Sequence, residues 1–269
     1  MAIRERFHLG ALEGVRVGRF QFGINTTFIV YRVGDTLFDA GPPNQWSSVA
    51  AFVSERPVRQ LLLTHHHEDH SGNAGRIATL TGVTPMAPEP GRAKLARGFA
   101  TPPLQRLIWG APSPLATEPL ADDLHLEDGS PIQPVFTPGH APDLTCFHLP
   151  QQGWLLSGDL YLSRKLRYLR SDEDLAELMA SLRKVLTLPF DTLLCPHRGP
   201  VRQGHQALCE KLANLERLCA EAQALARQGR SEKAILKALL GPEDWLGHLS
   251  RYNLSKTNLI RQALTVPLP

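Results

Sequence analysis

The sequence predicts an α+β protein in which a β-rich body, residues 1–201, carries a helical extension, residues 202–269. Three observations carry this. Short apolar runs rich in β-branched and aromatic residues recur through the body. Several of them end in a small or turn residue followed by His or Asp. After residue 202 the spacing of apolar residues changes to that of helices.

The opening reads as β structure. Residues 15–20 alternate, residues 27–31 are β-branched and aromatic, and Gly34-Asp35 turns the chain into residues 36–41. A helix is expected over residues 45–55, stopping before Pro57, then a strand near 60–64 and a helix over 73–80. Residues 84–128 are rich in proline. They suggest a helix at 91–98 and then an insertion carrying Leu104, Leu107, Ile108 and Trp109, either a lid or an excursion packed on itself. A second β set spans 124–159. In residues 172–186, Leu175, Leu178, Met179, Leu182 and Leu186 share one helix face, and Asp172, Glu173 and Asp174 suit its positive end. Helices are expected over 205–227, 231–240 and 255–264.

At 269 residues the chain can bury a sizeable core, and 42% hydrophobic with 20% charged residues is the balance of an ordinary folded protein. A net charge of +3 is too small to argue for nucleic acid, and none is expected as a partner. The basic stretch Arg164, Lys165, Arg167, Arg170 reads as a solvated patch ahead of a contact for an anionic substrate. The start, Met1 to Arg6, lacks a secretory apolar core, and no run is long enough to span a membrane, so a cytoplasmic address and no membrane partner are expected. Cys146, Cys195, Cys209 and Cys219 form no CxxC pair and read as reduced, mostly buried thiols.

The densest chemistry is Thr64-His65-His66-His67-Glu68-Asp69-His70, directly after Leu61-Leu62-Leu63. Imidazoles crowded at a strand end repel one another when protonated and need partners when buried; a bound cation answers both. Side chains two apart in an extended loop point the same way. His65 and His67 can thus grip one ion while Asp69 and His70 turn to a second, with His66 and Glu68 pointing away. His140, Asp159 and His197 each follow an apolar run, so strand ends could bring them to the same place. The lone His8, His125, His148, His205 and His248 read as structural. Seven ligands, His65, His67, Asp69, His70, His140, Asp159 and His197, suffice for two divalent ions, zinc ahead of iron or manganese given the His and carboxylate donors. Such a pair acidifies water and polarises a carbonyl or phosphoryl oxygen, which points to hydrolysis by a bridging hydroxide, with Asp69 and Asp159 as catalytic carboxylates.

These residues, with Pro138-Gly139-His140, Gly158-Asp159 and the opening Asn25-Thr26-Thr27 and Phe38-Asp39-Ala40-Gly41, resemble the metallo-β-lactamase superfamily over residues 25–199. The resemblance implies an αββα four-layer sandwich with the metals at one edge. It implies His65, His67 and His140 on the first metal, Asp69, His70 and His197 on the second, Asp159 between them, and Asp39 behind the ligand loop. Asp at 159, where true β-lactamases place Cys, is similar to the glyoxalase II, lactonase and ribonuclease-like branches. The tail resembles glyoxalase II extensions that flank the pocket, with Arg251, Lys256 and Arg261 as its candidates for holding an anionic thiol. Tyr161 would lean over the metals onto substrate.

The leading expectation is a dinuclear hydrolase of a small thioester or lactone, acting on a small molecule, with a homodimer open. The alternatives are a mononuclear-iron oxidoreductase resembling persulfide dioxygenases, a phosphodiesterase or ribonuclease-like hydrolase, and an interaction protein resembling thioesterase-fold regulators of quinolone signalling.

Overall fold

A computed structural model describes residues 3–20 and 26–268. Asn25, part of the expected opening strand, lies outside the described residues. Strands β1 (Glu5–Leu9), β2 (Leu12–Val17), β3 (Phe28–Val33) and β4 (Thr36–Phe38) pair antiparallel in sequence order. Helix α1 (Trp46–Val53) crosses to β5 (Gln60–Leu62), parallel to β4. Helices α2 (Glu68–Ser71) and α3 (Ala74–Thr81) precede β6 (Met86–Ala87); α4 (Glu89–Arg97) and α5 (Pro103–Trp109) precede β7 (Glu118–Pro119), and both strands extend the sheet in parallel.

The second sheet is built from β8 (Leu124–His125), β9 (Pro131–Phe136), β10 (Thr145–Leu149), β11 (Trp154–Leu156), β13 (Thr192–Cys195) and β14 (Gly199–Val201), in the spatial order β14-β13-β11-β10-β9-β8. Strand β12 (Leu169–Arg170) stands apart and pairs with β15 (Leu254–Ser255) from the tail. Helix α6 (Leu175–Val185) separates β12 from β13, and α7 (Gly204–Arg227), α8 (Glu232–Leu240), α9 (Trp245–Leu249) and α10 (Lys256–Ala263) complete the described chain.

Strand periodicity sorts the apolar residues into layers, because successive side chains leave a strand on opposite faces. Ile29, Tyr31, Val33, Phe38 and Leu62 of the first sheet meet Phe147, Trp154, Leu156 and Leu194 of the second. Their sequence neighbours Phe28, Val30, Leu37 and Leu61 face outward under α1 and α3. Cys146, Leu155 and Leu193 face outward on the other side, under α6, α7 and α10. Helix, sheet, sheet, helix is therefore the observed order of layers, as the resemblance implies. Strands buried on both faces read as continuous apolar runs, which is how Leu61-Leu62-Leu63 appears in the sequence.

The tail shares this core: Leu175, Leu178 and Leu182 of α6 pack in one cluster with Ala207, Leu208, Leu259 and Ile260. The seven helices that the periodicity predicts all have a counterpart, and three of them are capped by side chains. Ser231 and Ser255 cap α8 and α10 by accepting from Ala234 and Asn258 amides, and Asp174 caps α6 by accepting from Glu177. Three short helices, α2, α5 and α9, are not among those the periodicity predicts. Helix α5 hides in the proline-rich insertion because Pro103 occupies its first turn, where a missing N–H costs nothing. No helix among the described residues is long and apolar enough to cross a membrane.

Chain direction decides where the site forms. Strands β4 and β5 run parallel, as do β11 and β13, and β9 runs with β11 because both are antiparallel to β10. All five therefore end at one edge of the sandwich. The two sheets are joined there by backbone bonds from Ile29 N–H to the Pro196 carbonyl (2.6 Å) and from Thr145 N–H to the Thr64 carbonyl (2.9 Å).

Candidate metal centre

Each of those strand ends delivers one part of a single cluster. Strand β5 leads into the loop holding His65 and His67, and α2, starting at Glu68, presents Asp69 and His70. Strand β9 runs into the turn before His140, β11 into the 3-10 turn that holds Asp159, and β13 into His197. Gly139 makes the turn possible: its φ is +129°, and a Cβ there would lie 2.3 Å from the Leu178 amide nitrogen. The seven expected ligands come together, and all are buried.

Their ligand atoms fall into three overlapping groups that could each hold an ion: His65, His67 and His140; Asp69, His70 and His197; and His65, His70 and Asp159. His67 Nδ1 lies 2.9 Å from His65 Nε2 and 3.1 Å from His140 Nε2. Asp159 spans the cluster, with Oδ2 3.2 Å from His140 Nε2 and Oδ1 3.3 Å from both His70 Nε2 and His197 Nε2. Asp69 Oδ2 is 3.5 Å from His197 Nε2.

Four of the five cluster imidazoles hold a partner at the outward nitrogen. His70 Nδ1 meets Asp39 Oδ2 at 2.7 Å, His140 Nδ1 meets Glu173 Oε1 at 2.5 Å, His197 Nδ1 meets the Thr27 carbonyl at 2.8 Å, and His65 Nδ1 meets Thr64 Oγ1 at 3.0 Å. In the neutral ring, an acceptor at the outer nitrogen fixes the tautomer and leaves the inner nitrogen with the lone pair. His70 Nε2 and Asp159 Oδ1, both fully buried, find no partner of hydrogen-bond geometry. Inward lone pairs and orphaned buried atoms at one point are what divalent cations would satisfy, so the residues present fit metal ions.

Electrostatics divide the imidazoles. Burial, reinforced by neighbouring positive groups, holds His65 and His67 well below the ordinary histidine value. Burial also opposes charge on His70, His140 and His197, but carboxylates outweigh it. Asp39, Asp159 and Asp69 hold His70 well above its ordinary value, Asp159 and Glu173 lift His140 to about 9, and Asp159 with Asp69 raises His197. Burial would raise Asp159; His197, His70 and His140 instead keep it well below the usual carboxylate range.

Asp39 sits where the resemblance implies, behind the loop. Its carboxylate accepts from the Thr64 amide at 2.7 Å and from Thr64 Oγ1, besides holding His70. Its own backbone is left-handed (φ 59°), a conformation costing about 1–3 kcal/mol in a non-glycine residue, which these bonds offset.

Four expectations need correcting. Glu68 does not point away: the chain turns helical there, so Glu68 is buried and lines the same cavity as His67 and Asp69, with burial and then Asp69 lifting its carboxyl to about 7. Tyr161 does not lean over the metals; the 3-10 turn at residues 158–160 carries it into the core under α6 and α7, and it is absent from the cavity wall. The basic stretch is not simply solvated, since Lys165, Arg167 and Arg170 line that cavity. In the tail, Lys256 pairs with Asp244 and Arg261 with Glu232, and neither they nor Arg251 line it. Of the cysteines, Cys209 is exposed and the other three are buried.

Sequence reasoning missed two supports. Glu173, read as a complement to the helix dipole, clamps His140 and accepts from the Arg170 amide at 2.8 Å. Gln262 of α10 in turn donates to the Glu173 carbonyl and accepts from the Leu175 amide. Asp143 binds the His66 amide at 2.8 Å and ring at 2.6 Å, and Lys94 reaches the far side of that ring. The only signal for Asp143 was its place three residues after His140.

The cluster floors a cavity of about 450 Å³. Leu104, Ile108 and Trp109 of α5 wall one side; Leu162, Leu166 and the tail residues Leu246 and Leu254 wall the other. Helix α5 of the insertion thus lines the cavity over the ligand cluster.

Among curated proteins the chain is similar to an atrochrysone carboxyl ACP thioesterase of Aspergillus fumigatus, 28% identical over 231 residues, covering 84% of this chain and 63% of the relative. It is also similar to a hydroxyacylglutathione hydrolase of Cereibacter sphaeroides, 32% identical over 160 residues, covering 58% and 53%. The chain thus spans between about half and two thirds of the length of these relatives. Among solved structures, a beta-lactamase domain protein from Burkholderia ambifaria superposes with a TM-score of 0.73 at 18% identity, covering 97% of this chain and 87% of that one. A metallo-beta-lactamase family protein from Thermus thermophilus gives 0.66 at 20% identity, covering 95% and 91%. Residues 19–197, more than half of the chain, match the family model described as the metallo-beta-lactamase superfamily, and the chain belongs to that superfamily.

Proposed function

We propose that this chain is a dinuclear metal-dependent hydrolase of small esters, with thioesters first and lactones second. The observation that carries the proposal is the convergence of inward lone pairs and orphaned buried atoms at the floor of a largely apolar cavity. The names of the thioesterase and hydroxyacylglutathione hydrolase relatives support the thioester preference.

His65, His67 and His140 would hold one ion and Asp69, His70 and His197 the other, with Asp159 placed to reach both. Ions held there, zinc first, supply a Lewis acid for the ester carbonyl and lower the pKa of water towards 7. The chain does the rest. Asp69, a member of the cluster, and its neighbour Glu68 both line the cavity and can take the proton of the attacking water. The α5 wall of Leu104, Ile108 and Trp109 excludes water and gives an acyl chain an apolar surface. Asp39, Glu173 and Thr27 keep the imidazoles in fixed orientation, so no reorganisation is needed when substrate arrives.

The test is metal analysis followed by hydrolysis of thioesters, lactones, phosphodiesters and β-lactams by zinc-, manganese- and iron-loaded protein. Two ions per chain with thioester or lactone turnover are expected. A saturated protein holding one ion would end the dinuclear reading; turnover of phosphodiesters alone would end the ester reading.

A further inference from the structure

The basic stretch after Asp159 is the strongest feature that the hydrolytic centre does not use. It runs from the 3-10 turn to β12 and forms a wall of the cavity. Its two flanking cations are neutralised: Arg164 pairs with Glu210 at 2.9 Å, and Arg170 with Asp172 at 2.9 Å. Between them, Lys165 and Arg167 are exposed, face the cavity, and have no carboxylate partner among the described residues. Arg198, from the loop just after His197, is a third cation on this wall; its Nε donates to the Leu162 carbonyl, which ties it to the same stretch. The nearby Asp244 is already engaged by Lys256 and Tyr168.

The carboxylates of the cavity lie elsewhere. Asp69 and Asp159 belong to the metal cluster, Glu173 is held by His140, and Glu68 sits beside Asp69 in α2. The cavity thus combines the ligand cluster, apolar walls and unneutralised positive charge. The apolar residues Leu162 and Leu166 alternate with the cations along the stretch, so one segment supplies both surfaces.

We propose that Lys165 and Arg167, with Arg198, form an anion subsite that selects ester substrates carrying a carboxylate or phosphate separated from the scissile bond by an apolar segment. This rests on the hydrolase reading for the position of the ester. The anion can belong to the acyl group or to the leaving thiol; the chemistry of recognition is the same, a charge-assisted hydrogen bond from Lys or Arg.

Three thioesters with acyl chains of six carbons separate the sources: hexanoyl-N-acetylcysteamine, which is neutral; its adipoyl counterpart, with a terminal carboxylate on the acyl side; and hexanoyl-phosphopantetheine, with phosphate on the thiol side. For the metal-loaded full chain, at least one anionic thioester is expected to show a KM about tenfold below that of the neutral one, the effect of one good charge-assisted contact. In K165A/R167A this ratio should collapse towards one, whereas Arg167→Lys should keep most of it. Raising salt should shrink the wild-type ratio. Both residues are exposed, so the substitutions do not threaten the core. Equal KM values for all three thioesters, or a ratio unchanged in K165A/R167A, would overturn the proposal.

If no thioester is turned over, the thioester preference fails, and the subsite is still decided by binding. Quenching of tryptophan fluorescence, with Trp109 in the cavity wall, compares decyl phosphate with decanol. A tenfold preference for the phosphate that is lost in K165A/R167A supports the subsite. Equal affinities, or a preference surviving the substitution, refute it.

Discussion

The two ligand triads differ in what surrounds their imidazoles. His65 and His67 touch other imidazoles and a hydroxyl, and burial keeps them neutral. His70 and His197, in the other triad, face Asp39, Asp159 or Asp69 and are pushed to hold protons. His140 is the exception that identifies the cause: it belongs with His65 and His67, yet contact with Asp159 and Glu173 lifts it to about 9. Carboxylate contact, not depth of burial, separates the groups. A cation entering beside His65 and His67 finds two lone pairs ready and a proton to displace only from His140, whereas one entering beside His70 and His197 must displace a proton from each.

The largest expected effect comes from removing a ligand outright. His67→Ala takes away the nitrogen shared between His65 and His140, and should lower turnover by more than the 10–100-fold typical of losing an outer partner. Metal content should fall with it; unchanged content would break the assignment of the first triad. Next come the outer partners themselves. Glu173→Gln and Asp39→Asn should each weaken metal affinity or activity by about 10–100-fold. They sharpen the comparison because each removes the carboxylate that raises one imidazole, His140 or His70. Competition with a chelating dye measures both.

Proton release is a smaller, cleaner test. With a pKa of about 9, His140 is protonated at pH 7 before a cation binds and must be deprotonated to ligate. Loading should therefore release protons at pH 7, and affinity should fall as pH is lowered; calorimetry in buffers of different ionisation heat counts them. No release at pH 7 would remove carboxylate contact as the cause that separates these imidazoles.

The smallest effect tests burial by itself, the influence that dominates His65 and His67. Lys211, buried in α7 with Nζ 2.6 Å from the Leu160 carbonyl, is lowered by burial from 10.5 to about 8. A lysine lowered on folding penalises the native state fully below pH 8. Between pH 8 and 10.5 the unfolded chain binds more protons, so stability should rise with pH, by about 3 kcal/mol at the outside. Lys211→Met should flatten that rise in urea titrations.

Much of the centre was legible because its signals are local. His65 and His67 stand two apart in an extended loop, and His140, Asp159 and His197 each follow an apolar run whose end the topology brings to one edge. What was not legible depended on a change of local geometry or on distant contact. Glu68 was misplaced because alternation stops where α2 begins, and each residue then turns by about 100° instead of 180°. Tyr161 was misplaced because a 3-10 turn intervenes between it and β11. Glu173 looked like an ordinary acidic residue at a helix start; its bond to His140 joins positions 33 apart in sequence. The paired versus unpaired members of the basic stretch could not be told apart without Glu210, which α7 brings from far along the chain.

The grip of Gln262 on Glu173 has a consequence for how this chain can vary. One amide side chain holds the backbone on both sides of the α6 start, and that start aims the carboxylate that aims His140. The final helix is thus two handshakes from the ligand cage. Insertions between α7 and α8 leave this relay untouched, whereas a shift in register between β15 and α10 would reach the reacting atoms as a tilted imidazole.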